Sequence, residues 1–558
     1  MKLSDYAAEK IAGLGIRDVF TVTGGGAMHL NMSLGLCPQL RCVYNHHEQA
    51  SAIAAEGYAR LTNKMPLVCV TTGPGGINAL TGVFGAWTDS IPMFVLSGQV
   101  KYSTTVRSSG LSLRQLGDQE FDIAKAVSGM TKYAVMITDP YETGYHIERA
   151  FRLAAHGRPG PVWLDIPMNV QGADIDPARM RKYDPAEDAE REPPPIPAAA
   201  VAEIIEKIRS AKRPVMLVGT GVRLSGAHEE FLKAVEALNI PVATAWNAHD
   251  ALEETHPLYC GRPGTVGGRA GNFAVQNSDL LLNIGCRMNV RQVSYNWENF
   301  ARVAYKISID IDPAELEKPT VRPDMPVCGD CADFFRQVMK MPPLEPKADW
   351  LGWCKERLRR YPAVTDEMRR ETGQVNPYVF MDRLSDALDE NAVTVCSNGS
   401  AVVMTFQALR IKKGQRLFSN SGCASMGYGL PAAIGAAVAS GGPVVCMEGD
   451  GSLQMNIQEF QTLVKNGLPV HVFVINNAGY HSIRQTQRNF MGGRLAGCDC
   501  ESGVDFPDLE KISAAYGLPF FRIRENSELA RQISAALAYK GPCVCEIMAD
   551  PKQDFEPK

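Results

Sequence analysis

Short strands rich in β-branched residues alternate with stretches of helical spacing through most of this 558-residue chain. Residues 67–71, 215–218 and 470–475 are three of these apolar strands, and each belongs to a different third of the sequence. Parallel strands need a crossover connection, which is usually a helix, so this alternation predicts parallel sheets covered by helices. The chain is therefore expected to be an α/β protein built from doubly wound parallel sheets.

Two stretches rich in proline and charge divide the chain. Residues 184–197 and 341–349 have the composition of extended linkers. They leave three segments, residues 1–185, 198–340 and 355–558, and each is close to the usual domain size of about 150 residues. We predict three domains with these boundaries.

The composition excludes several classes of function. Hydrophobic residues make up 45% and charged residues 21% of the chain, as in a globular soluble protein. A net charge of −4 gives no electrostatic case for a nucleic-acid or anionic-membrane partner. No apolar run approaches the roughly 18 residues that span a bilayer, and the N-terminus reads as a charged amphipathic helix. The fifteen scattered cysteines suit reduced thiols, so we expect a cytoplasmic protein.

The most specific chemical pattern is Gly449-Asp450-Gly451 followed by Asn477. Asp450 follows an apolar strand and offers a hard anionic oxygen for Mg²⁺ or Ca²⁺, while the flanking glycines let backbone approach phosphate oxygens. Asn477 follows the next strand, and open α/β sheets bind ligands at the carboxyl ends of their strands. The pattern predicts a metal-bound diphosphate, and the alternative is two ordinary turns.

This arrangement resembles the thiamine-diphosphate motif of the enzymes that include acetolactate synthase, pyruvate oxidase and pyruvate decarboxylase. The resemblance implies that Asp450, Asn477 and the carbonyl of Gly479 hold Mg²⁺. The three-segment layout resembles the acetolactate synthase branch in particular. That branch implies a pyrimidine-binding first domain, a central Rossmann-like FAD-binding domain and a diphosphate-binding last domain. It also implies a homodimer or homotetramer in which two subunits share each active site.

Glu48 resembles the acid that activates the cofactor in this family. It lies in a His-Glu-x-x-Ala segment followed by Glu-Gly-Tyr-Ala-Arg, as the family motif does. Removal of the cofactor's C2 proton needs a carboxylic acid that is hydrogen-bonded to ring atom N1′ in a poorly solvated pocket. Two alternatives are a helix-start acid favoured by the dipole and a metal site with His46 and His47.

Further loops resemble those that surround the cofactor. Residues 73–78 resemble the Gly-Pro-Gly-x-x-Asn loop beside the ring, which assigns Asn78. Residues 421–431 resemble the loop that bends the cofactor into a V shape, with Met426 as the wedge and the carbonyl of Ala424 on the 4′-amino group. The remaining cofactor contacts expected in the last domain are Gly399, Gly449, Gly451, Ser452 and Tyr480.

Substrate contacts are implied by two further matches. Gln119 matches a glutamine that contacts reaction intermediates in acetolactate synthase, and Lys132 matches a lysine at the active-site entrance. Thr486 and Ser482 stand where the amino-acid-biosynthetic synthase has tryptophan and methionine, which opens the acceptor pocket and adds hydroxyl groups. The neighbouring Arg484 and His481 are expected to contact a polar acceptor.

Loops of the central segment resemble the flavin-binding loops of the acetolactate synthases, which implies bound FAD. Glycines let the backbone approach the dinucleotide, and arginines meet its phosphates. The implied FAD contacts are Arg158, Gly219, Gly221, Gly264, Arg287, Arg291, Asp310 and Asp330. In synthases of this branch the flavin is structural, whereas in the oxidases it takes part in the reaction.

These matches predict an enzyme that decarboxylates a pyruvate-type 2-oxo acid and transfers the remaining acyl unit to a carbonyl acceptor. A second pyruvate would give 2-acetolactate, and a larger hydroxylated ketone such as a keto-sugar is the alternative acceptor. A simple 2-oxo acid decarboxylase, an oxidase and a catalytically silent binding protein are the competing functions.

Overall fold

The computed structural model describes residues 1–556 and every side chain in that range except Arg191. Pro557 and Lys558, the last residues of the predicted third domain, lie outside the described residues. The described chain contains three six-stranded sheets, and every strand pairing recorded in them is parallel. The predicted α/β fold class is therefore confirmed.

The first sheet has the strand order β2-β1-β3-β4-β6-β5. Every residue of β3, β4 and β6 is buried, as expected of central parallel strands that helices cover on both faces. The strands are β1 Asp18–Thr21, β2 Arg41–Tyr44, β3 Leu67–Val70, β4 Met93–Gln99, β5 Tyr133–Met136 and β6 Pro161–Pro167. The α-helices of this region are Leu3–Gly13, Met28–Leu36, Glu48–Thr62, Pro74–Thr88, Val106–Ser109, Ile123–Ala126, Thr143–Ala155 and Met168–Gln171.

The helix Glu48–Thr62 packs closely against a helix from the last third of the chain, Gly429–Ser440. A Cβ atom on Gly57 would lie 2.4 Å from the carbonyl oxygen of Ala432, and one on Gly435 would lie 1.8 Å from that of Ala54. Only glycine leaves room for backbones this close. The small residues of both helices thus fix the helix that begins at Glu48.

The second sheet has the order β12-β11-β10-β7-β8-β9, so the strand order reverses between β7 and β10. The strands are β7 Pro214–Val218, β8 Val242–Thr244, β9 Tyr259–Gly261, β10 Leu280–Ile284, β11 Tyr305–Asp310 and β12 Met325–Cys328. The α-helices are Ala198–Ser210, Gly221–Leu224, His228–Leu238, Arg269–Asn277, Val290–Val293, Pro313–Glu317, Cys331–Val338 and Ala348–Arg360. Such a reversal marks the edge at which dinucleotides bind.

The third sheet has the order β14-β13-β15-β16-β18-β17. The strands are β13 Val393–Cys396, β14 Arg416–Phe418, β15 Val444–Gly449, β16 Val470–Asn476, β17 Phe520–Ile523 and β18 Cys543–Met548. The α-helices are Asp366–Arg370, Pro377–Ala387, Ser400–Ala408, Gly429–Ser440, Asp450–Leu453, Phe460–Asn466, His481–Phe490, Leu509–Ala515 and Leu529–Ala538.

The chain divides into two compact units that do not follow the sequence linearly. The first contains Met1–Glu192, Gly422–Val444 and Leu453–Val470, and the second contains the rest of the described chain. Part of the first predicted linker is the 3-10 turn Pro185–Arg191, in which Asp188 accepts hydrogen bonds from Arg149. The three domain boundaries stay predictions. No helix within residues 1–556 is long and apolar enough to cross a bilayer.

Candidate active site

Asp450 and Asn477 lie at the carboxyl ends of the neighbouring strands β15 and β16, where the structure brings them together. Asp450 Oδ2 accepts the backbone N–H groups of Asn477 at 3.1 Å and Gly479 at 3.0 Å, and its Oδ1 accepts that of Gly451 at 2.8 Å. The Asp450 carboxylate thereby fixes the loop that carries the other two predicted metal ligands.

Burial raises the pKa of the Asp450 carboxyl to about 6, although the three backbone N–H groups oppose the shift. A buried carboxylate whose charge is only partly compensated favours a bound cation. Carboxylate, amide and carbonyl oxygens are the ligands that Mg²⁺ accepts. The donor set of Asp450, Asn477 and Gly479 therefore fits a magnesium ion.

Two further helices begin beside this pair. Asn477 Nδ2 donates to the hydroxyl of Ser400 at 3.2 Å, at the start of the helix Ser400–Ala408. Gly399 precedes that helix with φ of +67°, and a Cβ built on it would lie 3.8 Å from the hydroxyl of Ser482, in the first turn of the helix His481–Phe490. Helix N-termini attract anions, so this edge suits a diphosphate.

The two glycines of the Gly449-Asp450-Gly451 pattern have different surroundings. A Cβ on Gly449 would meet nothing within 4 Å. A Cβ on Gly451 would lie 2.3 Å from Cε1 of Tyr480 and 2.8 Å from Cζ of Phe506. Gly449 thus borders open space, as a phosphate approach requires, whereas Gly451 is glycine because aromatic rings pack on it.

Arg484 supports the loop after β16 through hydrogen bonds. Its guanidinium donates to the carbonyls of Asn477 at 2.7 Å, Ala478 at 3.2 Å and Pro551 at 3.3 Å. Arg484 and His481 are 7% and 2% exposed, and their contact with an acceptor stays a prediction. The Arg484 side chain supports this loop, whereas the His481 ring packs against Phe555 with 5.4 Å between ring centroids.

Other predicted contacts of this edge lie around the same loop. Ser452 shares a 2.7 Å hydrogen bond with Ser397, the residue after β13. The backbone N–H of Tyr480 donates to the carbonyl of Cys498 at 2.8 Å. Gly479 has φ of +134°, and its Cβ would lie 2.1 Å from the same carbonyl, so that position requires glycine.

Glu48 begins the helix Glu48–Thr62 in the first compact unit and is half-buried. Asn78 Nδ2 donates to Glu48 Oε2 at 3.0 Å, so the structure brings the predicted acid and the predicted ring-side amide together. His47 caps the helix through Nδ1, which accepts the N–H of Gln49 at 3.1 Å. Within residues 1–556, no cluster of three or more His, Cys, Asp or Glu side chains is arranged to hold a metal.

Gln119 lies against the loop that leads to Asn78. A Cβ on Gly73 would lie 2.0 Å from the carbonyl oxygen of Gln119. Gln119 has φ of +61°, which costs a non-glycine residue roughly 1 kcal/mol or more. The buried Glu120 supports this backbone, since its Oε2 accepts the N–H groups of Leu116 at 2.9 Å and Gly117 at 3.3 Å.

Lys132 and Arg158 lie just before the strands β5 and β6, respectively. The stem of Lys132 packs over Gly160, whose Cβ would be 3.3 Å from it, and Nζ donates to the carbonyl of His156. Arg158 Nε donates to the hydroxyl of Ser90 at 2.8 Å. Both predicted contacts thus have a partner within the chain.

Ala424 and Met426 lie in the loop before the helix Gly429–Ser440 and are half-buried. Ala424 has φ of +55° and Gly427 φ of +79°. A Cβ on Gly427 would lie 2.8 Å from the side chains of both Met455 and Asn456. This loop is therefore held by the turn at residues 455–459, which the sequence analysis did not identify.

In the central sheet, the predicted FAD contacts lie at or after the carboxyl ends of β7, β9, β10, β11 and β12. The N–H of Gly219 donates to the carbonyl of Ile284 at 2.9 Å, and that of Gly221 to Gly285 at 3.0 Å. A Cβ on either glycine would lie under 3 Å from Gly285, so these glycines join two loops at the strand-order reversal. Asp310 and Asp330 accept N–H groups of turn residues, while Arg287 is half-buried beside Gly285.

Beside these loops lies a group of buried polar atoms without a hydrogen-bond partner, which the sequence analysis missed. They are the indole nitrogen of Trp246, both ring nitrogens of His249 and Nε of Arg262. Arg291 Cζ lies 5.6 Å from the centroid of the Trp246 ring. The backbone N–H of Thr265, next to Gly264, donates to the carbonyl of Arg291. Unsatisfied buried donors call for water or a ligand with acceptor atoms, as the carbonyls and phosphates of FAD are.

Comparison with known proteins identifies this arrangement. Models described as the N-terminal TPP binding domain, the central domain and the C-terminal TPP binding domain of thiamine pyrophosphate enzymes match residues 1–126, 201–338 and 397–547. Fold and site therefore define an enzyme dependent on thiamine pyrophosphate, which is thiamine diphosphate.

Proteins similar to this chain include archaeal and bacterial ones. The probable acetolactate synthase large subunit of Methanococcus aeolicus is 32% identical over 90% of this chain and 85% of its own length. The acetolactate synthase large subunit of Corynebacterium glutamicum is 32% identical over 93% and 82%, and the isozyme 3 large subunit of Escherichia coli is 30% identical over 94% and 90%. The chain belongs to the family of acetolactate synthase large subunits.

Proposed function

We propose that this enzyme decarboxylates pyruvate and joins the remaining two-carbon unit to a second carbonyl compound, with 2-acetolactate as the product when the acceptor is pyruvate. The observation that carries the proposal is the set of oxygen ligands at Asp450, Asn477 and Gly479, beside two helix N-termini. The relatives named acetolactate synthase supply the reaction type.

Asp450, the Asn477 amide oxygen and the Gly479 carbonyl would hold Mg²⁺, and the two helix N-termini would hold the diphosphate. Arg484 keeps the loop carbonyls in place, and Asp450 anchors the loop through two of its N–H groups. Thiamine diphosphate supplies an electron sink for the carbanion left when the 2-oxo acid loses CO₂.

Glu48 holds the proton that the cofactor ring needs at N1′. Asn78 donates to one carboxylate oxygen of Glu48, which leaves the other oxygen to carry the proton. A Cβ on Gly75 would lie 3.4 Å from Glu48 Oε1, so the absence of a side chain at Gly75 leaves room beside the acid. Gln119 and Lys132 are proposed to contact substrate from the loops described above.

A larger ketone, such as a keto-sugar, is the second candidate acceptor, and the surroundings of Ser482 favour it. Ser482 is half-buried beside Gly399, and Thr486 is exposed one turn further along the same helix. The Thr486 hydroxyl donates to the Ser482 carbonyl at 2.9 Å. Short hydroxyl side chains at both positions leave room for a polar acceptor.

FAD is proposed as a bound, structural cofactor of the central domain. Its support is the unsatisfied polar group of Trp246, His249 and Arg262 beside the loops at the strand-order reversal. Release of FAD on denaturation, read by fluorescence, tests the proposal, and an enzyme isolated without flavin under all conditions opposes it. The flavin is assigned no role in the transfer.

A homodimer or homotetramer is proposed from two exposed apolar helix faces in the first compact unit. Met28, Met32 and Leu36 lie four residues apart on one helix and are 48%, 60% and 72% exposed. Ile77 and Phe84 lie on a second helix and are 44% and 43% exposed. Faces of this kind are usually covered by another subunit. The cytoplasmic location stays a prediction.

The decisive experiment is a product analysis of the purified enzyme with pyruvate, Mg²⁺ and thiamine diphosphate. Acetolactate formed from pyruvate alone, and lost on metal chelation, supports the first acceptor. CO₂ release that appears only when a ketone is added transfers the assignment to the second. Acetaldehyde as the sole product, or hydrogen peroxide in air, would instead identify a decarboxylase or an oxidase. Glu48→Gln should abolish turnover while most cofactor binding remains.

A further inference from the structure

We propose that Glu459 is a positioning residue that holds the segment leading into Glu48, and so sets the reach of that acid toward the cofactor ring. The inference rests on the proposed activating role of Glu48. Glu459 is fully buried, and the sequence analysis gave it no role. It follows Asp450 by nine positions along the chain and ends the short 3-10 turn Ile457–Glu459.

The carboxylate of Glu459 accepts hydrogen bonds from both residues that precede His47. Its Oε1 accepts the backbone N–H of His46 at 2.9 Å, and its Oε2 accepts Asn45 Nδ2 at 2.9 Å. Thr462, one turn further on, donates its hydroxyl to Oε2 at 2.7 Å. Hydrogen bonds to a carboxylate are about twice as strong as neutral ones, and their geometry fixes the backbone of the 45–46 segment.

Asn456, which precedes the same turn, contacts the residue that follows Glu48. Asn456 Nδ2 donates to Gln49 Oε1 at 3.1 Å and to the carbonyl of Gly427 at 2.7 Å. The turn from Asn456 to Glu459 therefore contacts the chain on both sides of Glu48 and the loop that carries Met426. All of these residues belong to the first compact unit.

Position matters here because a proton must be held against one ring atom. An acid displaced by about 1 Å loses on the order of 100-fold in rate, and loss of a supporting partner around a functional group typically costs about 10- to 100-fold. We therefore expect Glu459→Ala to slow deprotonation of cofactor C2 by about 10- to 100-fold. Cofactor affinity should change much less, because Glu459 contacts none of the proposed metal or diphosphate ligands.

The test measures hydrogen–deuterium exchange at C2 of the bound cofactor, by acid quench and NMR, in the full-length enzyme. Glu459→Gln is the conservative variant. Its amide oxygen can accept the His46 N–H, and Asn45, whose Oδ1 has no partner, can turn its amide to accept from the new N–H. Exchange close to wild type in Glu459→Gln, with slow exchange in Glu459→Ala, is the expected result.

Thr462→Val is the matched control, since it removes one hydrogen bond from the same carboxylate without touching the 45–48 segment. Its C2 exchange should stay within about twofold of wild type, whatever it costs in thermal stability. If Thr462→Val slows exchange as much as Glu459→Ala does, general loosening explains both, and the proposal is overturned. Wild-type exchange in folded Glu459→Ala overturns it as well.

A readout on the apoenzyme needs no cofactor. Amide hydrogen exchange of a peptide covering residues 45–49 should speed up in Glu459→Ala, while a peptide covering β4 should not change. If Glu459→Ala does not fold, Asn45→Ala carries the test with one of the two contacts removed, and unchanged exchange in both assays contradicts the proposal. Glu48→Gln distinguishes failure of the proposed role of Glu48 from failure of the role of Glu459. Normal C2 exchange in Glu48→Gln refutes the role of Glu48 itself. Slow exchange in Glu48→Gln together with normal exchange in Glu459→Ala refutes only the role of Glu459.

Discussion

The two glycines around Asp450 give the sharpest test of the diphosphate site, because the same substitution should act on different properties. Gly451→Ala places a methyl group 2.3 Å from Cε1 of Tyr480 and 2.8 Å from Cζ of Phe506. Real Cβ atoms do not come within 3 Å of other heavy atoms, so a ring must move. Gly449→Ala places the same methyl group where no protein atom lies within 4 Å.

The expected magnitudes follow from these distances. Overpacking by one methylene in a close-packed region costs about 1 to 3 kcal/mol, and the clash of Gly451→Ala with two aromatic rings belongs at the upper end. Gly449→Ala should leave the free energy of unfolding within about 0.5 kcal/mol of wild type. Its methyl group would instead occupy the approach to the diphosphate, and a loss of about 1.4 kcal/mol there corresponds to tenfold weaker cofactor binding.

The assay pairs urea unfolding of the apoenzyme with titration of Mg²⁺ and thiamine diphosphate, followed by intrinsic fluorescence. Gly451→Ala should shift the unfolding midpoint, and Gly449→Ala should shift mainly the Kd. Equal losses of stability in the two variants would refute the packing argument for Gly451. Unchanged cofactor affinity in Gly449→Ala would show that the open space beside Asp450 is not the diphosphate approach.

Three further outcomes are expected. Burial raises the pKa of the Asp165 carboxyl to about 7. The free energy of unfolding of the apoenzyme should therefore fall by about 4 kcal/mol as the pH rises from about 4 to above 7. In urea unfolding, Asp165→Asn should flatten that loss. Arg484→Lys cannot span the loop carbonyls, including that of Asn477, and should weaken cofactor binding about 10- to 100-fold in fluorescence titration, with a smaller change in kcat at saturation. Tyr428→Phe removes a 2.6 Å hydrogen bond to the buried Glu56 and should cost about 1 to 3 kcal/mol in unfolding free energy.

The fold could be predicted because its signal is local. Each central strand is an apolar run buried on both faces, such as β3 or β10, and the spacing between runs leaves room for one crossover helix. The juxtaposition of Asp450 and Asn477 could also be anticipated, since both follow strands of one parallel sheet. The packing role of Gly451 could not, because its neighbours Tyr480 and Phe506 come from loops whose paths no sequence pattern fixes.

The same limit explains why the structural role of Arg484 could not be predicted. A basic residue seven positions after Asn477, on a helix at the edge of the site, fits a substrate contact as well as a structural role. The structural role depends on the course of the loop, in which Ala478 and Gly479 have positive φ and the carbonyls of Asn477 and Ala478 face the guanidinium. The sequence shows that a turn exists there but not which way its carbonyls face.

Glu459 marks the point at which sequence reasoning ends. In the sequence it lies nine residues after Asp450, yet its partners His46 and Asn45 lie 413 and 414 residues away. A buried carboxylate is costly unless hydrogen bonds compensate it, so the burial of Glu459 is itself a sign of a partner. The sequence does not identify that partner, because a backbone N–H and a side-chain amide form no recognisable motif. Only the fold reveals that one turn, nine residues beyond the aspartate proposed to bind the metal, contacts the segment that leads into Glu48.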